Sequence, residues 1–258
     1  MQLANWVQVA FIGACACALA FQTLFSYQMV GPKPVFWVML YAGTFFAYHW
    51  NAVHTGLRAC AWCMGTVAAA AWWLLPLEVN IACVVPGLCW LLYFGLHHPE
   101  AIGWRASAWL KPYCIALAWA WTTVYLPLSA DRWLPAVPML VERAALVFVL
   151  ALAYDVYDLT ADRLAGLDTL VRRVGASGAF HLMDVAWLVF VGAACAGGWA
   201  GVYPARVLMV LFVYALGARW FLRTLHRHWP AVAWHKVLID ALMPLQTVLL
   251  LLAGWCSA

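Results

Sequence analysis

Long apolar segments follow one another along nearly the whole chain, separated by short breaks that carry glycine, proline or charge. A helix that crosses a bilayer needs about 20 mostly apolar residues, and nine segments approach that length. Hydrocarbon leaves no water to satisfy an open backbone, and no barrel-type alternation is visible, so these segments are predicted to be helices. The nine predicted spans are residues 5–27, 33–51, 59–76, 79–96, 112–129, 136–155, 181–200, 204–222 and 237–256.

The composition supports a protein that lives in lipid. Of the 258 residues, 67% are hydrophobic and only 9% are charged, which is more apolar surface than a soluble domain buries. We therefore expect an all-α, polytopic membrane protein in which residues 1–258 form one bundle of about nine transmembrane helices. The net charge of +4 is small and does not indicate a nucleic-acid partner.

The basic residues are distributed unevenly between the two sides of this predicted bundle. With nine spans, ten of the fourteen lysines and arginines fall on the side of the N-terminus: Arg58, Arg105, Lys111, Arg163, Arg172, Arg173, Arg219, Arg223, Arg227 and Lys236. Cytoplasmic loops carry an excess of such residues, so this side is predicted to be cytoplasmic. The nine cysteines, an odd number dispersed through apolar segments, are interpreted as packing residues.

Four of the ten acidic residues lie between residues 153 and 175. Three of them, Asp155, Asp158 and Asp162, have the spacing i, i+3, i+7 and therefore share one stripe of a helix. Like charges this close repel each other unless a cation neutralises them. Magnesium binds in proteins through one or two carboxylates plus substrate phosphate oxygens, so the stripe is a candidate magnesium site.

Basic residues follow this stripe directly. Arg163, Arg172 and Arg173 offer the planar donor groups that bind phosphate, so the segment combines metal ligands with phosphate-binding cations. An alternative interpretation is an amphipathic segment at the membrane surface, with its leucines in lipid and its charges in water.

The segment Y-D-V-Y-D-L-T-A-D-R-L-A-G-L-D-T-L resembles the second aspartate-rich motif of the UbiA superfamily of membrane prenyltransferases, Y-D-x-x-D-x-x-x-D-x-x-x-G-x-x-T-L. The matching residues are Tyr154, Asp155, Asp158, Asp162, Gly166, Thr169 and Leu170. The chain looks closest to a short bacterial branch of that superfamily. Weaker similarity is found at residues 109–113 and 126–128, and at Asp240 and Gln246 in the last span.

This resemblance implies a helical bundle around a central cavity that binds an isoprenyl diphosphate through Mg²⁺ at the cytoplasmic face of a bacterial inner membrane. Metal and basic residues would assist departure of the diphosphate, and a lipid-soluble, aromatic or otherwise electron-rich acceptor would attack the allylic cation. Asp155, Asp158 and Asp162 would be the catalytic metal ligands. Lys111, Arg172 and Arg173 would bind the diphosphate, with Tyr154 also in the substrate site.

The first aspartate-rich motif of the superfamily, N-D-x-x-D-x-x-x-D, has no counterpart in this chain. At the end of the second span, where it is expected, residues 48–59 read Y-H-W-N-A-V-H-T-G-L-R-A and contain no carboxylate. Asn51, His54 and Arg58 keep the i, i+3, i+7 spacing and are predicted to bind substrate. With one acidic cluster instead of two, fewer magnesium ions are expected.

Other polar residues within or beside the spans give weaker predictions. Glu142 and Arg143 are expected to form a local ion pair or to extend towards the interface opposite the aspartates. His181 and Asp184 are interpreted as a pair at a helix start. Asp240 could either pair with Lys236 or face the cavity, where it is a candidate substrate-binding residue. The basic residues around 226–236 are otherwise interpreted as a face exposed to water and lipid headgroups.

Three functions therefore remain open on the sequence. The first is prenyl transfer from an isoprenyl diphosphate to a lipid-soluble acceptor. The second keeps the ionisation step but lacks an acceptor, as in a membrane terpene cyclase. The third is non-catalytic binding of prenyl lipids, which the missing first motif favours.

Overall fold

The computed structural model of the chain describes residues 2–29, 31–50, 55–95, 110–164, 168–228 and 234–255. Within these ranges all regular secondary structure is helical, which confirms the predicted all-α fold. Each of the nine predicted spans coincides with one helix or with two consecutive helices.

The helices are defined by their residue ranges in chain order. They are α1 (Gln2–Ser26), α2 (Pro34–His49), α3 (Thr55–Trp73), α4 (Leu77–Ala82), α5 (Val84–Gly95), α6 (Leu110–Ala120), α7 (Val137–Leu164), α8 (Leu170–Trp199), α9 (Ala205–His228), α10 (His235–Asp240) and α11 (Leu242–Trp255). A π-helical turn, Trp121–Tyr125, follows α6 directly, and a short 3₁₀ turn, Ala130–Arg132, lies before α7.

Several helix starts follow from the local sequence. Pro34 is the first residue of α2 and Pro204 immediately precedes α9, positions where the missing N–H of proline costs no helical hydrogen bond. The Thr169 hydroxyl accepts a hydrogen bond from the Arg172 N–H and caps the first turn of α8. The starts of α2 and α9 lie close to where the breaks in hydrophobicity predict them, whereas α8 begins eleven residues before the predicted seventh span.

Helix α7 forms the centre of the bundle and packs against α6, α8 and α10. Its interior side chains include Leu146, Val149 and Leu152, all of which are fully buried. The predicted sixth span ended at residue 155, but α7 continues to Leu164. The acidic stripe is therefore on the same rigid helix as the core residues.

The membrane assignment is supported by four helices of the described residues, which are long and apolar enough to cross a bilayer. They are Val137–Thr160, Leu170–Trp199, Ala205–His228 and His235–Gly254, and two shorter apolar helices cover Ala10–Ser26 and Leu77–Leu92. Large apolar side chains such as Leu188 and Trp220 are exposed on the outside of the bundle. A surface of this kind is typical of contact with lipid.

Two buried residues near the start of α7 decide between the alternatives predicted for them. Glu142 and Arg143 are both fully buried, so neither extends to the interface, and their opposite charges attract each other within the bundle. The Glu142 carboxylate also accepts hydrogen bonds from the Tyr203 hydroxyl and the Gln246 amide. These contacts join α7 to α11 and to the connection before α9.

The pair predicted at the start of the seventh span is also different in the structure. Asp184 lies nine residues after Gly175, where α8 is kinked, so it is well inside a helix and cannot cap its start. Its carboxylate binds Arg219 at 2.7 Å and Arg223 at 2.6 Å, both on α9. Asp184 therefore joins two neighbouring helices and has no helix-start role. The cysteines among the described residues are all free, and Cys15, Cys89 and Cys114 are buried.

Candidate active site

Three aspartates of α7 lie near the end of the bundle where the helix emerges from its apolar surroundings. Asp155 is 3% exposed and Asp162 is 9% exposed, whereas the side chain of Asp158 is about one-third exposed at 37%. Because α7 is continuous through residue 164, the i, i+3, i+7 stripe predicted from the sequence is present in the structure. Carboxylates this deeply buried require compensating cations.

Lys111 supplies one of these cations. Its ammonium donates a hydrogen bond to Asp155 Oδ1 at 2.7 Å. The lysine is in the first turn of α6, which Pro112 helps to start because proline fits a helical first turn. The predicted substrate-binding residue Lys111 is therefore beside the acidic stripe.

Lys236 supplies the second cation, and the sequence analysis missed it. This residue was interpreted as part of an exposed basic face or as a partner of Asp240, but its ammonium donates to Asp158 Oδ2 at 3.0 Å. The residues are 78 positions apart, so no local pattern relates them. The only available signal was that an acidic stripe at a membrane surface requires cations from elsewhere in the chain.

Tyr154 holds Lys236 in this position. The Tyr154 hydroxyl donates to the backbone carbonyl of Lys236 at 3.1 Å, and the ammonium of Lys236 lies 5.9 Å from the centre of the Tyr154 ring. The same hydroxyl accepts a hydrogen bond from the Gln8 amide at 3.2 Å. Tyr154 was predicted to bind substrate, and these contacts indicate how it joins α1, α7 and α10 behind the acidic stripe.

The cluster keeps acceptor atoms for a further cation. Within the described part of the chain, the buried Oδ2 atoms of Asp155 and Asp162 have no hydrogen-bond partner. Three carboxylates against two ammonium groups leave one negative charge. Burial raises the pKa of Asp162, Asp155 and Asp158 raise it further, and Lys111 and Lys236 oppose the rise. A proton therefore competes with any cation for the Asp162 carboxylate.

These residues fit a magnesium ion only if a substrate completes its coordination. Among the described residues, no three histidine, cysteine, aspartate or glutamate side chains are grouped closely enough to hold a metal by themselves. Magnesium commonly binds one or two carboxylates together with phosphate oxygens. Asp155 and Asp162 offer the orphaned oxygens that such an arrangement needs.

The two arginines predicted to bind diphosphate lie in the first turn of α8. Arg173 binds Asp168 in an exposed ion pair, and this hydrogen bond holds the pKa of Asp168 below its usual range. Arg172 is half-buried, and its backbone N–H forms the cap with Thr169. The structure brings Lys111, rather than Arg173, into direct contact with the acidic stripe.

The other residues predicted to bind substrate make no described contact with the acidic stripe. Arg58 is exposed in the first turns of α3, and Asn51 and His54 lie outside the described residues. Asp240 is buried at 1% exposure near Tyr154 and Gln8, and the lysine that precedes it by four residues binds Asp158 instead. Asp240 therefore lies in the interior of the bundle, beside Tyr154.

A large apolar cavity lies between α2, α3, α5 and α6. Its volume is about 560 Å³, and aromatic side chains contribute much of its wall: Phe46, Tyr48, Trp72, Trp90 and Trp119. The indole N–H of Trp119 donates to the Tyr48 hydroxyl at 2.8 Å, which joins α2 to α6. A volume and lining of this kind suit an apolar ligand that is held by shape.

Helix α6 relates the cavity to the acidic stripe of α7, because Lys111 of α6 contacts Asp155 and other α6 residues line the cavity. Lys111 lies in the first turn of α6. Residues that line the cavity follow it on the same side at helical spacing: Cys114, Ile115, Ala118 and Thr122. At about 1.5 Å per residue, the path from Lys111 to Thr122 is roughly 16 Å. A ligand with a charged head and a long apolar tail would match this arrangement.

The π-helical turn shapes the deep part of the cavity. Pro127 has no N–H to donate to the Thr123 carbonyl four residues earlier, and this carbonyl accepts a hydrogen bond from the Thr23 hydroxyl at 2.8 Å. Thr122 and Leu126, within and just after the turn, line the cavity. Such turns occur frequently at functional sites.

Comparison with known proteins identifies the fold. A solved structure of digeranylgeranylglyceryl phosphate synthase in membranes matches this chain with a TM-score of 0.61, covering 98% of each chain at 9% identity. The two proteins share one fold. No protein-family model and no curated protein sequence matches the chain. At this level of identity the similarity establishes the architecture, and the chemistry must be argued from the residues.

Proposed function

We propose that the protein is a Mg²⁺-dependent membrane prenyltransferase of the UbiA type, which moves an isoprenyl group from its diphosphate to a lipid-soluble acceptor. The observation that carries this proposal is the acidic cluster with its two lysines, one of which, Lys111, lies on the helix whose following turns line an apolar cavity. The diphosphate would lie at the cluster and the isoprenyl tail in the cavity. The shared fold gives further support, since the matching synthase is named for a product with two geranylgeranyl groups.

The reaction breaks the bond between the allylic carbon and a diphosphate oxygen, and the electron pair leaves with the diphosphate. The acceptor supplies the electron pair of the new bond and later loses a proton to water. Aromatic walls such as those formed by Trp90 and Trp119 stabilise positive charge on the allylic carbon. Electron-rich acceptors, including aromatic ones, suit this step.

Each charged residue has a separate role in this scheme. Asp155 and Asp162 would hold Mg²⁺ through their orphaned oxygens, with Asp158 beside them. When bound, the metal neutralises charge on the departing diphosphate. Lys111 and Lys236, which neutralise Asp155 and Asp158 in the protein by itself, are within reach of the same position and would turn to the diphosphate oxygens.

The first prediction tests the acidic cluster. The Asp155→Asn variant should release diphosphate from isoprenyl diphosphates at least about 100-fold more slowly than the wild type, because electrostatic stabilisation of a leaving group commonly contributes this much. Release is measured with purified protein, Mg²⁺ and donors of several lengths. The matched control is Asp131→Asn, a highly exposed carboxylate in the connection between α6 and α7, which should leave the rate unchanged.

Product analysis separates the competing functions. A prenylated acceptor supports transfer, whereas a cyclic hydrocarbon or alcohol formed without an acceptor would assign the chain to terpene cyclisation. Diphosphate binding without release in the wild type would favour the non-catalytic interpretation and contradict the proposal. Equal rates in wild type and Asp155→Asn would remove the role of the acidic cluster.

A further inference from the structure

The cavity has one position in its wall where a side chain is missing and could be accommodated. On α5 and the residue before it, Cys83, Pro86, Gly87 and Trp90 line the cavity at the spacing i, i+3, i+4, i+7. This spacing places all four on one helix face. Gly87 is therefore directed at the cavity, and a Cβ atom built there would meet nothing within 4 Å.

Two hydrogen bonds across the cavity wall lie on either side of Gly87, one nearer the acidic cluster and one farther from it. Towards the acidic end, the Trp90 indole donates to the carbonyl of Ala47 at 3.3 Å. Towards the far end, the Trp121 indole donates to the carbonyl of Ala82 at 2.9 Å. Gly87 lies between these levels, beyond the first part of a tail that enters from the acidic cluster.

The other cavity glycine lacks this freedom. A Cβ atom at Gly43 would already lie 3.8 Å from the Cβ of Ala68, so residue 43 is in a packed contact between α2 and α3. A large side chain there would push two helices apart. At Gly87 the same side chain would enter the cavity without displacing the backbone.

We infer that Gly87 determines the length of the isoprenyl donor: its missing side chain leaves open the part of the cavity that accommodates the distal isoprene units. This inference rests on the proposed function, and it adds a specificity-determining residue to it. Donors whose tails end before Gly87 would be insensitive to this position. Donors whose tails extend past it would require the glycine.

The Gly87→Leu variant tests the inference with two independent measurements. The first is kcat/KM for diphosphate release across donors that grow by one isoprene unit at a time. The second is the rise in melting temperature caused by prenyl alcohols of the same lengths, which report on the tail cavity without any diphosphate chemistry. Gly87→Ala, with a smaller side chain, should show the same effects to a lesser degree.

A matched control is available on the lipid-facing side of α9. Gly217 also has open space at its Cβ position, does not line the cavity, and has exposed neighbours such as Leu216 and Trp220. Gly217→Leu introduces the same side chain into a transmembrane helix away from the cavity. Its length profiles should equal those of the wild type.

For Gly87→Leu, kcat/KM with the longest accepted donors should fall by about tenfold or more, since even one misplaced methylene in an apolar pocket discriminates 10- to 200-fold. The shortest donor should remain within about twofold, by the same reasoning. Stabilisation by long alcohols should be lost and stabilisation by short alcohols kept. Wild-type profiles for both donors and alcohols would overturn the inference while leaving the proposed function intact.

Failure of the proposed function gives a different result. If the wild type releases no diphosphate from any donor, the alcohol measurement still decides the role of Gly87. Loss of long-alcohol stabilisation in Gly87→Leu, but not in Gly217→Leu, would support a length-selective tail site in a protein without the proposed activity. Equal stabilisation in all variants would reject that site.

Discussion

Asp158 and Lys236 show how single residues set the charge of the candidate site. The pair is partly exposed, with about one-third of each side chain accessible, so its direct contribution to folding stability is small. Its consequence for ligand binding is larger, because the same ammonium neutralises a carboxylate before substrate binds and can pair with a diphosphate afterwards.

Replacing Lys236 with glutamine should therefore change two constants in opposite directions. The KM for isoprenyl diphosphate should rise about tenfold, since a hydrogen bond to a charged group contributes about 1.5–3 kcal/mol. The Mg²⁺ concentration for half-maximal activity should fall a few-fold, because the cluster becomes more negative. Both constants are obtained from diphosphate release at varied donor and metal concentrations.

Lys236→Arg keeps the positive charge and should restore the metal dependence of the wild type. A purely structural role of Lys236 would instead lower the melting temperature and raise both constants together. Unchanged KM in Lys236→Gln would contradict the assignment of this lysine to the diphosphate.

At the residue scale, the sequence predicted the acidic stripe and assigned Lys111 to the diphosphate, but it predicted neither ion pair of the stripe. The spacing of Asp155, Asp158 and Asp162 depends on helix geometry alone, so the order of residues along the chain is enough to reveal it. Lys236 could not be assigned in this way, because its contact with Asp158 depends on how α10 packs against α7. Asn51 and His54, which lie outside the described residues, remain predictions.

At the scale of single elements, α8 shows how a local break directs the basic segment after α7. Gly175 has φ 73° and ψ 169°, a backbone conformation that residues other than glycine rarely adopt. The first turn of α8, with Arg172 and Arg173, is thereby set at an angle to the long transmembrane part. The seventh predicted span begins at residue 181, six residues after this kink.

Gly175→Ala should consequently destabilise the protein, because a strained backbone conformation costs about 1–3 kcal/mol. The melting temperature in detergent should fall by about 2–12 °C. Gly192→Ala, in the same helix, provides the control. Its Cβ would also occupy open space but its backbone is helical, so alanine there should be neutral or slightly stabilising. Equal melting temperatures for the two variants would show that a side chain at residue 175 does not strain the kink.

At the scale of the whole molecule, the two ends of α7 have different tasks. Glu142 near its start receives hydrogen bonds from Tyr203 and Gln246 and joins three parts of the chain. Asp155 lies thirteen residues later, roughly 20 Å away at about 1.5 Å per residue. The buried polar contacts at the first end should stabilise the bundle without taking part in chemistry at the second.

Tyr203→Phe separates these tasks. Loss of the hydroxyl leaves Glu142 with one fewer donor in a buried position, which should lower the free energy of unfolding by about 1–3 kcal/mol. The rate of diphosphate release per folded molecule should remain that of the wild type. Tyr27→Phe, which removes a hydroxyl that donates to the carbonyl of Pro135 at an exposed position, should have a smaller effect on stability. A large loss of activity in Tyr203→Phe would show that the two ends are coupled.

The helical class, the approximate position of each span and the acidic stripe of α7 are all encoded locally in the amino-acid sequence. They depend on hydrophobic run length and on the 3.6-residue period of a helix. Tertiary packing was needed for the rest: Lys236 contacts Asp158, Glu142 and Arg143 are buried, and residues of four helices line a cavity. These arrangements depend on contacts between residues far apart in the chain, and such contacts follow from side-chain packing that no short sequence pattern encodes.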